Sequence, residues 1–287
     1  MNALMRPLMQ PGLRDLRARV WGTAMWVVMG FMLLNIAGLI AAVVVNSLST
    51  RWFGTWLPAG FTTRWYAGAW EEFALPDVLL TTMQVVLAVV LISAAIGVPA
   101  AYAMARSEFR GKPLVLLLFL LPLIVPSITY GIPLATVLYQ LGLGGTIWGV
   151  ILANLVPSVP FVVLTVTPFI EQLDPRLEAA ARVFGARTPS LFRHILVPML
   201  APGILAASLL VLVRTIGMFE LTFLTAGPDS QTLVVALYYA AFAPGIRAGQ
   251  SVDAMAVVYM ALTLFWLVVA LRFIDPTAIV GRGRPAG

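Results

Sequence analysis

The sequence predicts an all-α integral membrane protein with six transmembrane helices and a helical loop, held outside the bilayer, between the fourth and fifth. Three observations carry that reading. The 287 residues are 61% hydrophobic and only 10% charged, with a mean hydropathy of +0.96, where soluble domains carry roughly 25% charged residues. The apolar runs are about 20 residues long, as bilayer-crossing helices require, whereas a barrel alternates in segments of about ten. Between two of these runs lies a charged, Ala-rich stretch from Asp174 to Pro202 that hydrocarbon would not accept: DPRLEAAARVFGARTPSLFRHILVPMLAP.

Taken in order, residues 1–20 form a short polar arm carrying Arg6, Arg14, Arg17 and Arg19. Residues 21–45 are the first span. The run is longer than the apolar core of a signal peptide and continues into Asn46 and Ser47 without a small-residue cleavage site. Residues 46–77 form an exposed segment with Trp52, Trp56, Trp65, Tyr66 and Trp70 ahead of Glu71 and Glu72. Clustered Trp and Tyr mark a membrane–water interface; a substrate-stacking platform is the alternative reading.

The core of the chain, residues 78–275, then opens with a second span over 78–104, ending on the basic turn of Arg106, Arg110 and Lys112. The third span, 114–139, contains Pro122, Pro126 and Pro133. Prolines at membrane depth are tolerated where protein, water or a cavity satisfies the freed carbonyls, so this is either a kinked structural helix or one that lines a pathway. An uncharged Gly-rich turn, 141–146, leads to a fourth span over 147–170, interrupted by Pro157 and Pro160. The fifth span covers 199–225. An outer segment, 226–253, has an apolar part at 233–242 that is too short to cross, and a sixth span follows over 254–273. Residues 276–287 are a tail with Arg282 and Arg284, and no internal repeat is visible.

The basic residues orient these spans. With the N-terminus inside, fourteen of the 18 fall on inner segments, three (Arg51, Arg64, Arg247) fall outside, and Arg214 lies within a span. The positive-inside rule therefore places both termini and the 174–198 loop in the cytoplasm. Because topology accounts for the +6 net charge, the charge does not argue for nucleic acid. The absence of cysteine and the single histidine, His194, exclude thiolate sites and His-pair zinc sites. No phosphate cradle exists, since Gly111-Lys112 is followed by Pro113 with no Gly-rich loop before it. Nor are there paired acids or a Ser/His pair at membrane depth for an embedded enzyme. A secondary transporter or channel would explain the proline-broken spans but leave the basic loop idle.

That loop has its own grammar. Asp174 is a plausible N-cap with Pro175 at the first helical position. Leu177, Ala181 and Phe184 would share one face, Gly185 would stop the helix, and Pro189, Pro198 and Pro202 punctuate a second segment that feeds into the membrane. The pattern resembles the "EAA" signature of the permease subunits of bacterial binding-protein-dependent ABC importers: Glu-Ala-Ala, three residues, Gly, nine residues, Ile-x-Leu-Pro. Ala180, Ala181, Gly185, Ile195 and Pro198 stand at the matching offsets. The motif's Glu position holds Ala179, with Glu178 one residue earlier, and its Leu is Val197; whether Glu178 replaces the motif carboxylate stays open. The stretches Phe61–Tyr66 and Ala100–Arg106 also resemble such permeases, so the likeness runs from about Phe61 to Phe273.

The resemblance implies a type I ABC importer permease fold in the bacterial inner membrane, with the loop helix as the coupling helix seated in a groove of an ATPase subunit. Leu177, Ala181 and Phe184 would then be its buried side. It also implies two ATPase subunits that hold ATP and Mg, a second permease, and a periplasmic binding protein; this chain itself carries no cofactor. The stretch Leu155–Val166 is similar to the fourth span of spermidine/putrescine-type permeases, which points to polyamines. A carbohydrate or ferric iron is the alternative solute. Ionisable residues at membrane depth are functional candidates, so Arg214 and Glu220, with Asp229, Pro126 and Pro160, are the candidate pathway residues, against readings as a snorkelling charge, an interfacial carboxylate and a turn residue for Arg214, Glu220 and Asp229.

Overall fold

A computed structural model describes residues 11–243 and 248–273, with side chains from residue 19 to residue 272 within those ranges. Among these residues the chain is helical, with two isolated β-bridges, Ser49 with Phe61 and Gly145 with Ala226, and no strand. Arg6, Arg247, Arg282, Arg284 and the tail 276–287 lie outside the described residues, as do the side chains of Arg14 and Arg17.

Helix α1 (Pro11–Ser47) absorbs the second half of the expected 1–20 arm. No proline follows Pro11 within the helix, so residue 20 is not a backbone boundary. Its side chains are exposed from residue 19 to residue 42 and become covered only near Ser47. There Asn46 Nδ2 donates to Asp253 Oδ2 of α12 (Gly249–Phe273). In the next segment Trp65 Nε1 of α2 (Arg64–Glu72) donates to Ser49 O at 2.7 Å, and the Tyr66 and Ser47 hydroxyls pair at 2.8 Å. Trp56 stays fully exposed.

The core is built by α3 (Leu75–Arg106), α6 (Ile147–Glu171) and α9 (Val197–Ile216), through residues such as Val85, Val89, Val162, Val166, Ala207 and Val211. In a bilayer no water is expelled when helices meet, so association rests on close packing. Gly97 supplies it: a Cβ there would lie 2.6 Å from Val162 Cγ1. Pro157 and Pro160 do not interrupt the fourth span as expected; both are buried inside an unbroken α6. Neighbouring side chains add bonds to its carbonyls, Asn154 Nδ2 to Val150 O at 2.9 Å and Ser158 Oγ to Asn154 O at 2.7 Å.

Two expected spans are broken instead. The third divides into α4 (Lys112–Ile124) and α5 (Ser127–Gln140), bent by 100°. Val125 and Pro126 are both extended, as the residue before a proline is forced to be. The fifth stops at Ile216, and after Gly217 and Met218 the short α10 (Phe219–Thr225) begins. These two short helices pack together: a Cβ at Gly131 of α5 would lie within 3.0 Å of both Leu221 and Leu224.

Hydrogen bonds at the two ends of the bundle fit the bent pair α4–α5 as one crossing. On one side Arg106 Nη2 donates to Leu173 O at 2.8 Å, joining the ends of α3 and α6. On the other, Gly145 N donates to Thr225 O at 2.9 Å, joining the α5–α6 turn to the end of α10. Helices α4 and α5 together must therefore cross between those sides. With α1, α3, α6, α9–α10 and α12 they make up six crossings. Helix α11 (Leu233–Phe242), too short to cross, packs against α12 and α3.

Candidate functional site

The loop between the fourth and fifth crossings folds as its residues dictate. Helix α7 spans Pro175–Val183, and Asp174 Oδ1 caps it by accepting from Arg176 N at 2.9 Å. Gly185, at φ +83°, ends it in the left-handed conformation that glycine adopts without a Cβ penalty, with Ala186 N donating back to Ala181 O at 3.0 Å. Then α8 (Thr188–Leu191) carries Pro189 in its first turn and passes through a π-helical turn, Phe192–Leu196, into α9, where Pro198 occupies the first turn. Leu191 and Leu196 are buried, so this second segment is rooted in the core.

Glu178 fastens the first segment. It is 8% exposed. Its Oε1 accepts from Arg106 Nε at 2.7 Å and its Oε2 accepts from the Tyr102 hydroxyl. Arg106 also reaches Leu173 O, so a single guanidinium ties α7, α3 and the end of α6 together. Tyr102 is steadied in turn by Phe192, edge to face at a centroid distance of 4.9 Å. A carboxylate and a guanidinium this deeply covered are tolerable because each is paired and hydrogen-bonded.

Glu178 points inward at Arg106, while Ala179 and Ala180 are exposed. Glu178 is thus bonded to the membrane bundle through α3. The expected common face of Leu177, Ala181 and Phe184 also divides. Ala181 follows Glu178 onto the chain's own core, being only three residues on, whereas Leu177 and Phe184 face outward, Phe184 at 91% exposure. Val183, not anticipated, is exposed beside them. Tyr102 and Arg106, one turn apart in α3, were read only within the stretch Ala100–Arg106, although their i, i+4 spacing would have placed them on one face.

The candidate pathway residues scatter. Arg214, half-buried in α9, holds its guanidinium carbon 5.8 Å from the Phe161 ring centroid of α6, within cation–π range. Glu220 is exposed on α10 and does not pair with it. Asp229 sits in the turn Pro228–Ser230, which Ser230 Oγ anchors to Gly145 O at 3.0 Å. Pro126 stands at the α4–α5 break, and Pro160 is buried in α6 away from any break. A link that no sequence pattern signals is Asn154 Nδ2 to Thr222 Oγ1 at 3.2 Å, which fixes α10 to α6. Among the described residues no cluster of His, Cys, Asp or Glu could hold a metal ion. The site is an outward apolar knob on a short helix that is hydrogen-bonded to the bundle.

Residues 97–280 match the family described as "Binding-protein-dependent transport system inner membrane component". Among curated proteins, the chain is 32% identical over 197 residues to the trehalose transport system permease protein SugB of Mycobacterium tuberculosis, covering 69% of this chain and 72% of that one. It is 29% identical over 236 residues to the spermidine/putrescine transport system permease protein PotC of Escherichia coli K12, covering 80% and 85%. Among solved structures, a bacterial ABC transporter involved in the import of the acidic polysaccharide alginate superposes with a TM-score of 0.74 at 16% identity, over 94% of this chain and 100% of that one. The MetNI methionine ABC transporter does so at 0.53 and 17%, over 71% and 95%. At these identities the structural likeness speaks for the fold.

Proposed function

The chain belongs to the inner-membrane components of binding-protein-dependent transport systems and is a permease subunit of an ABC importer; on that premise we propose that α7 is its coupling helix and that its solute is a polyamine. The observation that carries the coupling role is the pairing of an exposed apolar knob (Leu177, Val183, Phe184) with a buried rivet (Glu178, Arg106, Tyr102) on one short helix. A helix that merely reversed the chain would need neither. In this multi-pass inner-membrane protein the α7 side faces the cytoplasm, as the distribution of arginines supports. Two ATPase subunits, holding ATP and Mg, seat the knob. When they close on nucleotide, α7 is displaced, and the rivet passes that displacement to α3 and α6 instead of letting α7 swivel about Gly185. A second permease, a related chain, completes the pathway, and a periplasmic binding protein delivers the solute to the opposite face.

The polyamine reading is supported by the similarity to PotC over most of the chain. A carbohydrate is the second reading, favoured by the similarity to SugB. The test is co-purification of the tagged chain from its native membrane with the partners identified by mass. An ATPase, a second permease and a binding protein that retains a polyamine are expected. Recovery of the chain alone, transporting in liposomes on an ion gradient without ATP, would overturn the reading in favour of a secondary transporter.

A further inference from the structure

A cleft of about 530 Å³ opens between α3, α4 and α6 on the α7 side of the bundle. Its deepest lining is apolar and covered, Met104 of α3 and Val163 of α6, and Leu116 and Leu164 form its walls. Three charged side chains, Glu108, Lys112 and Glu171, line the same cleft. Lys112 opens α4 and Glu171 closes α6, so the charges lie where two crossings end and the apolar lining runs back along them. Leu173 O, two residues past Glu171, accepts from Arg106 at 2.8 Å, which fixes the flanking ends of α3 and α6 to each other. Helix α4 itself buries no residue, and Leu114, Leu117, Leu118 and Leu121 stand exposed around it. A helix that is apolar all round beyond its first residue, and so little covered, meets hydrocarbon.

The dimensions select what can lie there. The lining runs from Val163 to Glu171, about 12 Å along α6, so the cleft averages roughly 45 Å² in cross-section. A helix, about 10 Å across, needs roughly 80 Å²; a single hydrocarbon chain is thinner and fits. The charges select the head of that chain. Lys112 Nζ bonds Glu108 Oε1 at 2.9 Å, and the two side chains are 26% and 90% exposed. Glu171 has no ion-pair partner among the described residues. The lining therefore carries a surplus of negative charge, two carboxylates against one ammonium. A head with a primary ammonium beside a phosphate matches it. The ammonium bonds Glu171, and Lys112 exchanges the solvent-exposed Glu108, a weak partner, for the phosphate. A phospholipid with an uncharged alcohol head would bring a net negative charge to two carboxylates, and a quaternary ammonium has no hydrogen to donate to them.

We infer that this cleft is a lipid site: it seats one chain of a phospholipid between α4 and α6, and it reads the primary ammonium of the head with Glu171 and the phosphate with Lys112. Basic pockets between membrane helices hold lipid head groups; the added carboxylate turns this one toward an ammonium head. The site does not depend on which solute the importer moves. Its test is native mass spectrometry of the complete importer in detergent, titrated with dioleoyl phosphatidylethanolamine, phosphatidylglycerol or phosphatidylcholine. The wild type is expected to bind the ethanolamine lipid roughly tenfold more tightly than either of the others, at one site per copy of this chain. Glu171→Gln should reduce that preference to about threefold or less, and Lys112→Met should weaken all three lipids. Leu164→Trp, which fills the cleft and leaves the charges in place, should remove the site. Equal affinities in the wild type, or an ethanolamine preference that survives both Glu171→Gln and Leu164→Trp, would overturn the inference. A second readout needs no change of charge, because the native chain has no cysteine. In vesicles of ethanolamine and glycerol phospholipids, Leu164→Cys should be labelled by a thiol-reactive group carried on an acyl chain. Cross-linking of that thiol to the second permease instead would make the cleft a protein contact and overturn the lipid assignment.

Discussion

Glu178→Ala will destabilise the permease by about 3 kcal/mol and abolish coupled transport, because it strips the counter-ion from a covered guanidinium. Arg106 is left with Leu173 O alone and the Tyr102 hydroxyl loses its acceptor. The loss is larger than for an exposed pair, which is worth about 1 kcal/mol or less, since the two side chains are 11% and 16% exposed. The decisive measurement is a double-mutant cycle on the unfolding midpoint of the purified complex. Glu178→Ala combined with Arg106→Met should cost less than the two single changes added together, since the second removes the charge that the first stranded. Strictly additive costs would show that the pair is not acting as a unit. The double variant should regain stability without regaining transport, because an apolar replacement holds α7 less firmly to α3.

Phe184→Asp should do the reverse: leave the permease folded and remove the coupling. The side chain is 91% exposed and touches no core, so the substitution stays within about 0.5 kcal/mol in unfolding. If Phe184 is the anchor of the ATPase contact, placing a carboxylate in that groove should cost about 2 kcal/mol or more of binding, roughly a 30-fold loss of affinity. ATP hydrolysis would then proceed without solute uptake. Gly185→Pro should uncouple by another route, since proline cannot adopt the φ of +83° that closes α7. Normal ATP-driven uptake by either variant in a complete complex would contradict the coupling role.

Much of this joint was legible in the sequence, and the exceptions have physical reasons. Asp174, Pro175 and Gly185 announce the limits of α7 because capping, a preset φ and a left-handed stop are local preferences. The inward turn of Glu178 was not legible, because it depends on Arg106 and Tyr102, some seventy positions away in the chain. The prolines do not all act alike. Pro126 breaks its crossing because Val125 before it is extended as well, whereas Pro157 and Pro160 ride inside α6, buried on neighbouring helices. The break at Gly217 was hidden in a run apolar enough to read as one span. Only the Asn154–Thr222 bond and the packing of Leu221 and Leu224 on Gly131 show where α10 turns. Helix α1 was correctly apolar and long, yet composition could not tell that its side chains would stand clear of the bundle for most of its length.

The central claim is that the exposed end of α7 seats on an ATPase subunit, and a single thiol can test it directly. With no native cysteine to confuse the result, Phe184→Cys should cross-link to the ATPase chain of the assembled complex through a short thiol-to-amine reagent, and Trp56→Cys on the opposite side should not. A thiol at position 184 that stays open to aqueous reagents in the assembled complex, with no cross-link to the ATPase, would contradict it.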